Sequence, residues 1–222
     1  MSGQSARLGF TLAEVLVTLG IIGVVSAMTV PSLMQNHQRK TYVTQLHKVY
    51  NEFQQAAIQY MTDNNAINLK EAGLNDINAI DDFIKKYFKI AQNCGANPED
   101  CFAPEYKKIS GVVIGELSSS SNSRYYVLAS GVSIAAVVTN PVMELYVDTN
   151  GKKGPNIVGR DLFALMVYNN GVIDDICEDA PCTKEQRDTN YNSYCTIEND
   201  DKAGWWWGCF GKILNDNWEM TY

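Results

Sequence analysis

Between Phe10 and Met34 the chain reads FTLAEVLVTLGIIGVVSAMTVPSLM, 25 residues with a single charge, Glu14. A carboxylate held in hydrocarbon costs about 3 kcal/mol even on lenient insertion scales, so Glu14 needs a cation, a proton or the headgroup region. The second set of reactive residues is six cysteines, all beyond residue 93. By spacing they pair as Cys94/Cys101, Cys177/Cys182 and Cys195/Cys209, the simplest of the ~15 pairings that six cysteines allow. Local disulfides suit a compartment outside the cytoplasm. There is no C-x-x-C, which weakens zinc and thiol-redox readings. The third set is Asp148, Asn150 and Asp161, whose oxygens could surround a Ca²⁺ ion. The calcium-loop template asks for an oxygen ligand at the fifth position and a Glu at the twelfth, where this chain has Lys152 and Gly159. Asx turns in a β-connection explain the same residues. Ca²⁺ is the one candidate ligand, and no cofactor is otherwise expected.

Little else in the sequence could carry catalysis. The only histidines, His37 and His47, have no cysteine or carboxylate constellation around them and read as solvated or interface residues. Neither G-x-S-x-G nor H-E-x-x-H occurs. The adjacent pairs Asp81-Asp82 and Asp174-Asp175 point apart on a helix or strand and read as solvated faces. The expectation is a protein that is not an enzyme. Lys plus Arg total 18 against 25 Asp plus Glu, a net charge of −7. With no basic run to neutralise a row of phosphates, nucleic acid is not an expected partner.

Gly9-Phe10-Thr11-Leu12-Ala13-Glu14, followed by an apolar run containing Gly23 and Pro31, resembles the class III signal of type IV pilins and type II secretion pseudopilins. The resemblance implies that a prepilin peptidase and N-methyltransferase cuts between Gly9 and Phe10 and methylates Phe10. It implies Glu14 as the assembly carboxylate and other pilins or pseudopilins, alike or different, as partners. A platform protein and an ATPase would act indirectly. It places the chain in the bacterial inner membrane as a single pass, with its head outside the cytoplasm, and then in a filament. Ala13 stands where Ile or Val is usual, and the leader has one cation, Arg7; neither departure touches the cut or the carboxylate.

The arrangement also has a physical logic of its own. Cleavage would create an α-amino group, with a reference pKa of ~7.7–8, at the membrane edge. That amine supplies the cation a carboxylate four residues along requires, and a helix N-terminus favours Glu14 as well. Pairing between copies continues as an open head-to-tail helix rather than a ring. The competing reading is a secretory signal cut after Val25-Ser26-Ala27. Against it stand Glu14 within the apolar segment and the amphipathic helix downstream.

These residues need a long element to position them. Tyr42, Val43, Leu46, Val49, Tyr50, Phe53, Ala56, Ala57, Tyr60 and Met61 recur at three-to-four spacing, so 10–62 reads as one helix, about 80 Å long at 1.5 Å per residue. Pro31 should kink it or melt it locally. A shorter helix is expected over 76–90. Beyond a serine-rich turn at 118–123, strands are expected at 125–129, 132–138, 143–148, 162–168 and 172–173, with hairpin signals at Ser130-Gly131 and Asn169-Asn170-Gly171. The fold class is therefore α+β and pilin-like, with a long N-terminal helix, membrane-spanning in its first half, packed on an antiparallel sheet. A disulfide-rich C-terminal region follows. The expected segments are a leader at 1–9, an apolar assembly helix at 10–34, its amphipathic continuation at 35–62 and a head at 63–222. Trp205-Trp206-Trp207 either caps the core beside a disulfide or forms a platform for glycan or protein. The platform would make the chain a membrane-anchored binding or adhesion protein, the alternative to a filament subunit.

Overall fold

The computed structural model describes residues 9–115, 117–197 and 206–222. Helix α1 spans Leu12–Asp63 and stays helical through Pro31, so the local melting expected there does not occur. The chain divides into two compact units, one ending at Arg39 and the other Lys40–Tyr222. Each half of α1 follows from its composition. In the first unit the apolar side chains from Leu12 to Met34 are exposed. In the second, Val43, Leu46, Val49, Phe53, Ala56 and Ala57 form one buried stripe at helical spacing. Asp63, at the end of α1, accepts Lys86 Nζ at 2.9 Å and Tyr87 Oη at 2.6 Å.

Those two donors are the last two residues of helix α2, Ile77–Tyr87. Asp76 caps it, its carboxylate accepting the backbone N–H groups of Asn78 and Ala79. Ile80, Phe83 and Ile84 face inward, and Phe53 of α1 meets Phe83 and Phe88 there.

Strands β1 (Ile90–Gly95), β4 (Ser123–Leu128), β5 (Ser133–Val138), β6 (Met143–Asp148), β7 (Leu162–Val167) and β8 (Ile173–Asp174) form one antiparallel sheet in that spatial order. A separate hairpin joins β2 (Tyr106–Lys107) to β3 (Val113–Gly115). Register sorts the side chains into two faces. Tyr126, Ile134, Val147 and Phe163 share a cross-strand row, and Tyr126 Oη donates to Asp81 of α2 at 2.5 Å. Asp81 is therefore a half-buried acceptor rather than part of a solvated pair, while Asp82 is exposed. The opposite row is Tyr125, Ala135, Tyr146 and Ala164. Here Ala164, Met166 and Tyr168 pack with Trp207. With both faces covered, every residue of β7 is buried, and its sequence LFALMV is correspondingly apolar throughout.

Among the described residues two further helices follow, α3 (Lys184–Tyr194) and α4 (Cys209–Asn215). A capping box of Thr183 and Gln186 starts α3. Beyond α4 the chain returns to α1, where Trp218 stacks on His47 with ring centroids 3.9 Å apart and meets Tyr50 edge-on.

Candidate functional site

Thr11 is the N-cap of α1, and Glu14 is the third residue within the helix. The Glu14 carboxylate accepts the Thr11 backbone N–H and the Thr11 hydroxyl, both at 2.8 Å, while the Glu14 N–H donates to Thr11 Oγ1 at 3.2 Å. This reciprocal pattern is a capping box, and it holds the carboxylate at the positive end of the helix dipole. The Thr11-x-x-Glu14 spacing is a sequence signal for it that the reading of Glu14 as an isolated charge passed over. Phe10 lies just before the cap and is 89% exposed. Behind it, α1 is long and apolar enough to cross a membrane, and none of its most apolar stretch is buried in the chain. The arrangement therefore presents a bare apolar rod whose first turn carries one locally satisfied carboxylate. It can enter a bilayer or a bundle of like helices. Both Thr11 donors fall on Oε2, so a cation brought alongside Glu14 can approach through Oε1.

The loop between β6 and β7 brings Asp148, Asn150 and Asp161 together in the second unit. Asp148 and Asp161 are fully buried. Asp161 accepts the N–H groups of Ile157 at 2.6 Å and Asn156 at 2.8 Å. Asp148 accepts Tyr106 Oη at 2.5 Å and the Asn150 N–H at 3.2 Å. Asn150 donates to the Gly154 carbonyl at 3.1 Å, and its own Oδ1 is buried without a partner. Each carboxylate oxygen thus already faces an N–H or O–H donor, which does not fit the shell of ~6–8 oxygens that calcium takes. Among the described residues no group of three or more His, Cys, Asp or Glu gathers at one point. Burial pushes the Asp148 carboxyl up to about 7, with the neighbouring Asp161 charge adding to the rise. Asp161 is also raised, chiefly by burial.

Disulfides join Cys94 to Cys101, Cys177 to Cys182 and Cys195 to Cys209. The last ties the C-cap of α3 to the first residue of α4. Gly159 packs directly on the Cys209 sulfur with φ +82°, so a side chain there would meet both a clash and a strained backbone.

Asp174 and Asp175 correct the expectation of a solvated pair, since both are buried. Arg187 of α3 grips Asp174 through Nε at 2.8 Å and Nη2 at 2.6 Å. Asp175 accepts the N–H groups of Ile176 at 2.9 Å and Gly208 at 3.2 Å, which fixes the start of α4. Its Oδ2 has no partner, and burial raises its carboxyl to about 6. Asp174 ends β8 and Asp175 follows it, and both are covered. Trp207 is buried against β7, and Trp206 is partly buried between Tyr106 and Tyr146. Trp205 lies outside the described residues.

Residues 4–30 match the family model described as the prokaryotic N-terminal methylation motif. The chain carries the class III signal of type IV pilins and pseudopilins, on an α+β fold of a long N-terminal helix and an antiparallel sheet. Comparison with curated proteins and with solved structures gives no match.

Proposed function

We propose that this chain is a structural filament subunit, a pilin or pseudopilin of a type IV pilus or type II secretion system. A prepilin peptidase cuts it between Gly9 and Phe10 and methylates the new amine. It waits in the bacterial inner membrane with the unit from Lys40 outside the cytoplasm. It then joins the filament when Glu14 pairs with the Phe10 amine of a neighbour. The observation that carries this reading is a methylation motif set on an exposed apolar segment, Phe10–Met34, whose only charge is the capped Glu14. The adhesion alternative loses two of its three aromatic rings, because Trp206 and Trp207 are packed into the sheet.

Two measurements test the proposal. Mass spectrometry of the exported protein should find N-methyl-Phe10 as its first residue; a start at Met28 would instead indicate an ordinary secretory signal. Glu14→Ala and Glu14→Gln should be inserted and cleaved normally yet remain as membrane monomers. Breaking a buried ion pair costs about 3–5 kcal/mol, and a filament repeats that loss at each subunit. Normal incorporation of the Glu14→Ala chain itself would show that no such pair forms.

A further inference from the structure

A cleft opens at the β4–β5 turn, beside the start of the edge strand β1, and a disulfide-closed knob follows the opposite edge strand, β8. The cleft, about 440 Å³, lies between α1, the end of α2 and the β4–β5 turn, and Lys48, Glu52, Phe88, Lys89 and Leu128 help line it. That volume is within the range of ~300–1,000 Å³ typical of ligand pockets. Phe88 and Leu128 are the buried apolar part of its wall. Lys89 is exposed and its ammonium has no partner among the described residues. Lys48 reaches Glu52 only at 3.9 Å, with both side chains about half exposed, a pairing that a better carboxylate would displace.

The knob is Glu178-Asp179-Ala180-Pro181, closed by the Cys177–Cys182 bond immediately after β8. Glu178, Asp179 and Pro181 are exposed, and neither carboxylate has a partner among the described residues. Its backbone is held by Asn170 Nδ2 on the Ala180 carbonyl at 3.0 Å and by the Cys182 N–H on Asp174 at 3.0 Å. A segment so fixed loses little conformational freedom on docking.

β1 and β8 are the opposite edge strands of the six-stranded sheet. At ~4.8 Å per spacing, β1 and β4, whose ends border the cleft, stand about 24 and about 19 Å across the sheet from β8, so the knob of a chain lies away from its own cleft. A contact from one edge to the other edge of the next copy leaves a free cleft at one end and a free knob at the other, and such contacts extend as an open helix. We infer that the Cys177–Cys182 knob of one copy seats in the Lys48/Lys89 cleft of a second copy of this chain. Glu178 and Asp179 meet the two ammoniums, and Pro181 rests on Phe88 and Leu128. With a net charge of −7, the copies repel in most orientations, and a cleft whose two lysines outnumber its one carboxylate, Glu52, selects the register that does not. The inference rests on the filament reading and names the head contact that reading requires.

The test is zero-length carbodiimide cross-linking of filaments assembled from the full chain, read by mass spectrometry. Amide bonds from Lys48 or Lys89 to Glu178 or Asp179 should appear in filaments and be absent from detergent-dispersed monomers. Lys48→Glu with Lys89→Glu should lower incorporation about tenfold, and adding Glu178→Lys with Asp179→Lys should restore it to within about threefold, since like charges facing across an interface cost several kcal/mol. Filaments that carry no cleft-to-knob link, or that tolerate the charge reversal, overturn the docking and leave the filament reading intact. Lysine links to a different protein overturn the second copy as occupant. Wild-type chain that never assembles overturns both readings, and the N-terminal analysis then shows whether processing was the step at fault.

Discussion

At the scale of single residues, two buried acids behave unlike surface carboxylates. Asp148 has its carboxyl raised from 3.8 to about 7, so the folded chain holds that proton more tightly than the unfolded chain does. Its contribution to stability is complete below pH ~4, fades as pH rises to about 7 and is absent above that. Three pKa units at ~1.36 kcal/mol each bound the effect at roughly 4 kcal/mol. Asp148→Asn cannot ionise, so its melting temperature relative to wild type should climb between pH 4 and 7. A difference independent of pH would mean Asp148 titrates normally. Because Asp148 and Asp161 already receive donors from the chain, millimolar calcium should leave the melting temperature within about one degree of its value in chelator; a clear rise would restore the calcium reading. Asp174 is 1% exposed at its side chain and held by Arg187 at 2.6 Å. Arg187→Met should therefore cost about 3–5 kcal/mol in a urea unfolding experiment, mostly from the stranded carboxylate. A loss under 1 kcal/mol would mean that water reaches Asp174.

At the scale of elements, the Cys195–Cys209 disulfide closes the segment between α3 and α4, with a sequence separation of 14. Loop-closure entropy for that length is worth about 3 kcal/mol. Replacing both cysteines by alanine should lower stability by that amount, and more than the same change at Cys177–Cys182, whose separation is 5. Equal losses would show that native packing outweighs chain entropy here. The elements also differ in how far the sequence revealed them. α1, α2 and β4 to β7 follow from periodicity, because each buries one face or two and its side chains repeat accordingly. β1 is mostly exposed and bulged, with the pattern IAQNCG, and has almost no apolar alternation to detect. α3 has no fully buried residue, so only its capping box, Thr183-x-x-Gln186, betrays it. The buried acids were invisible for a related reason. An Asp-Asp pair carries no mark of what covers it, and Arg187, which decides the matter, lies 13 residues away. Glu14 was legible as a site from its surroundings, and its bond to Thr11 was legible too, in the Thr11-x-x-Glu14 spacing of a capping box.

At the scale of the whole molecule, the compact unit begins at Lys40 rather than at the end of α1, and that boundary has an energetic meaning. Residues 40–63 supply Val43, Leu46, Val49, Phe53, Ala56 and Ala57 to the core. Truncating one large buried side chain to alanine costs about 2–5 kcal/mol. Removing the whole stripe would exceed the ~5–15 kcal/mol that holds a typical domain together. The apolar segment before Arg39 is different, since its most apolar window contributes nothing to the buried core. A fragment starting at Lys40 should therefore be a soluble monomer with all three disulfides and one cooperative thermal transition. A fragment starting at Asn64 should aggregate or lack near-ultraviolet circular dichroism. Light scattering after gel filtration separates these outcomes. An unfolded Lys40 fragment would mean the apolar half of α1 stabilises the head, and a well-folded Asn64 fragment would mean the buried stripe is dispensable. The same Lys40 fragment keeps the cleft and the knob but lacks Glu14. If membrane-helix pairing supplies most of the assembly energy, it should stay monomeric at micromolar concentration. Filaments formed by the fragment alone would place that energy in the heads instead.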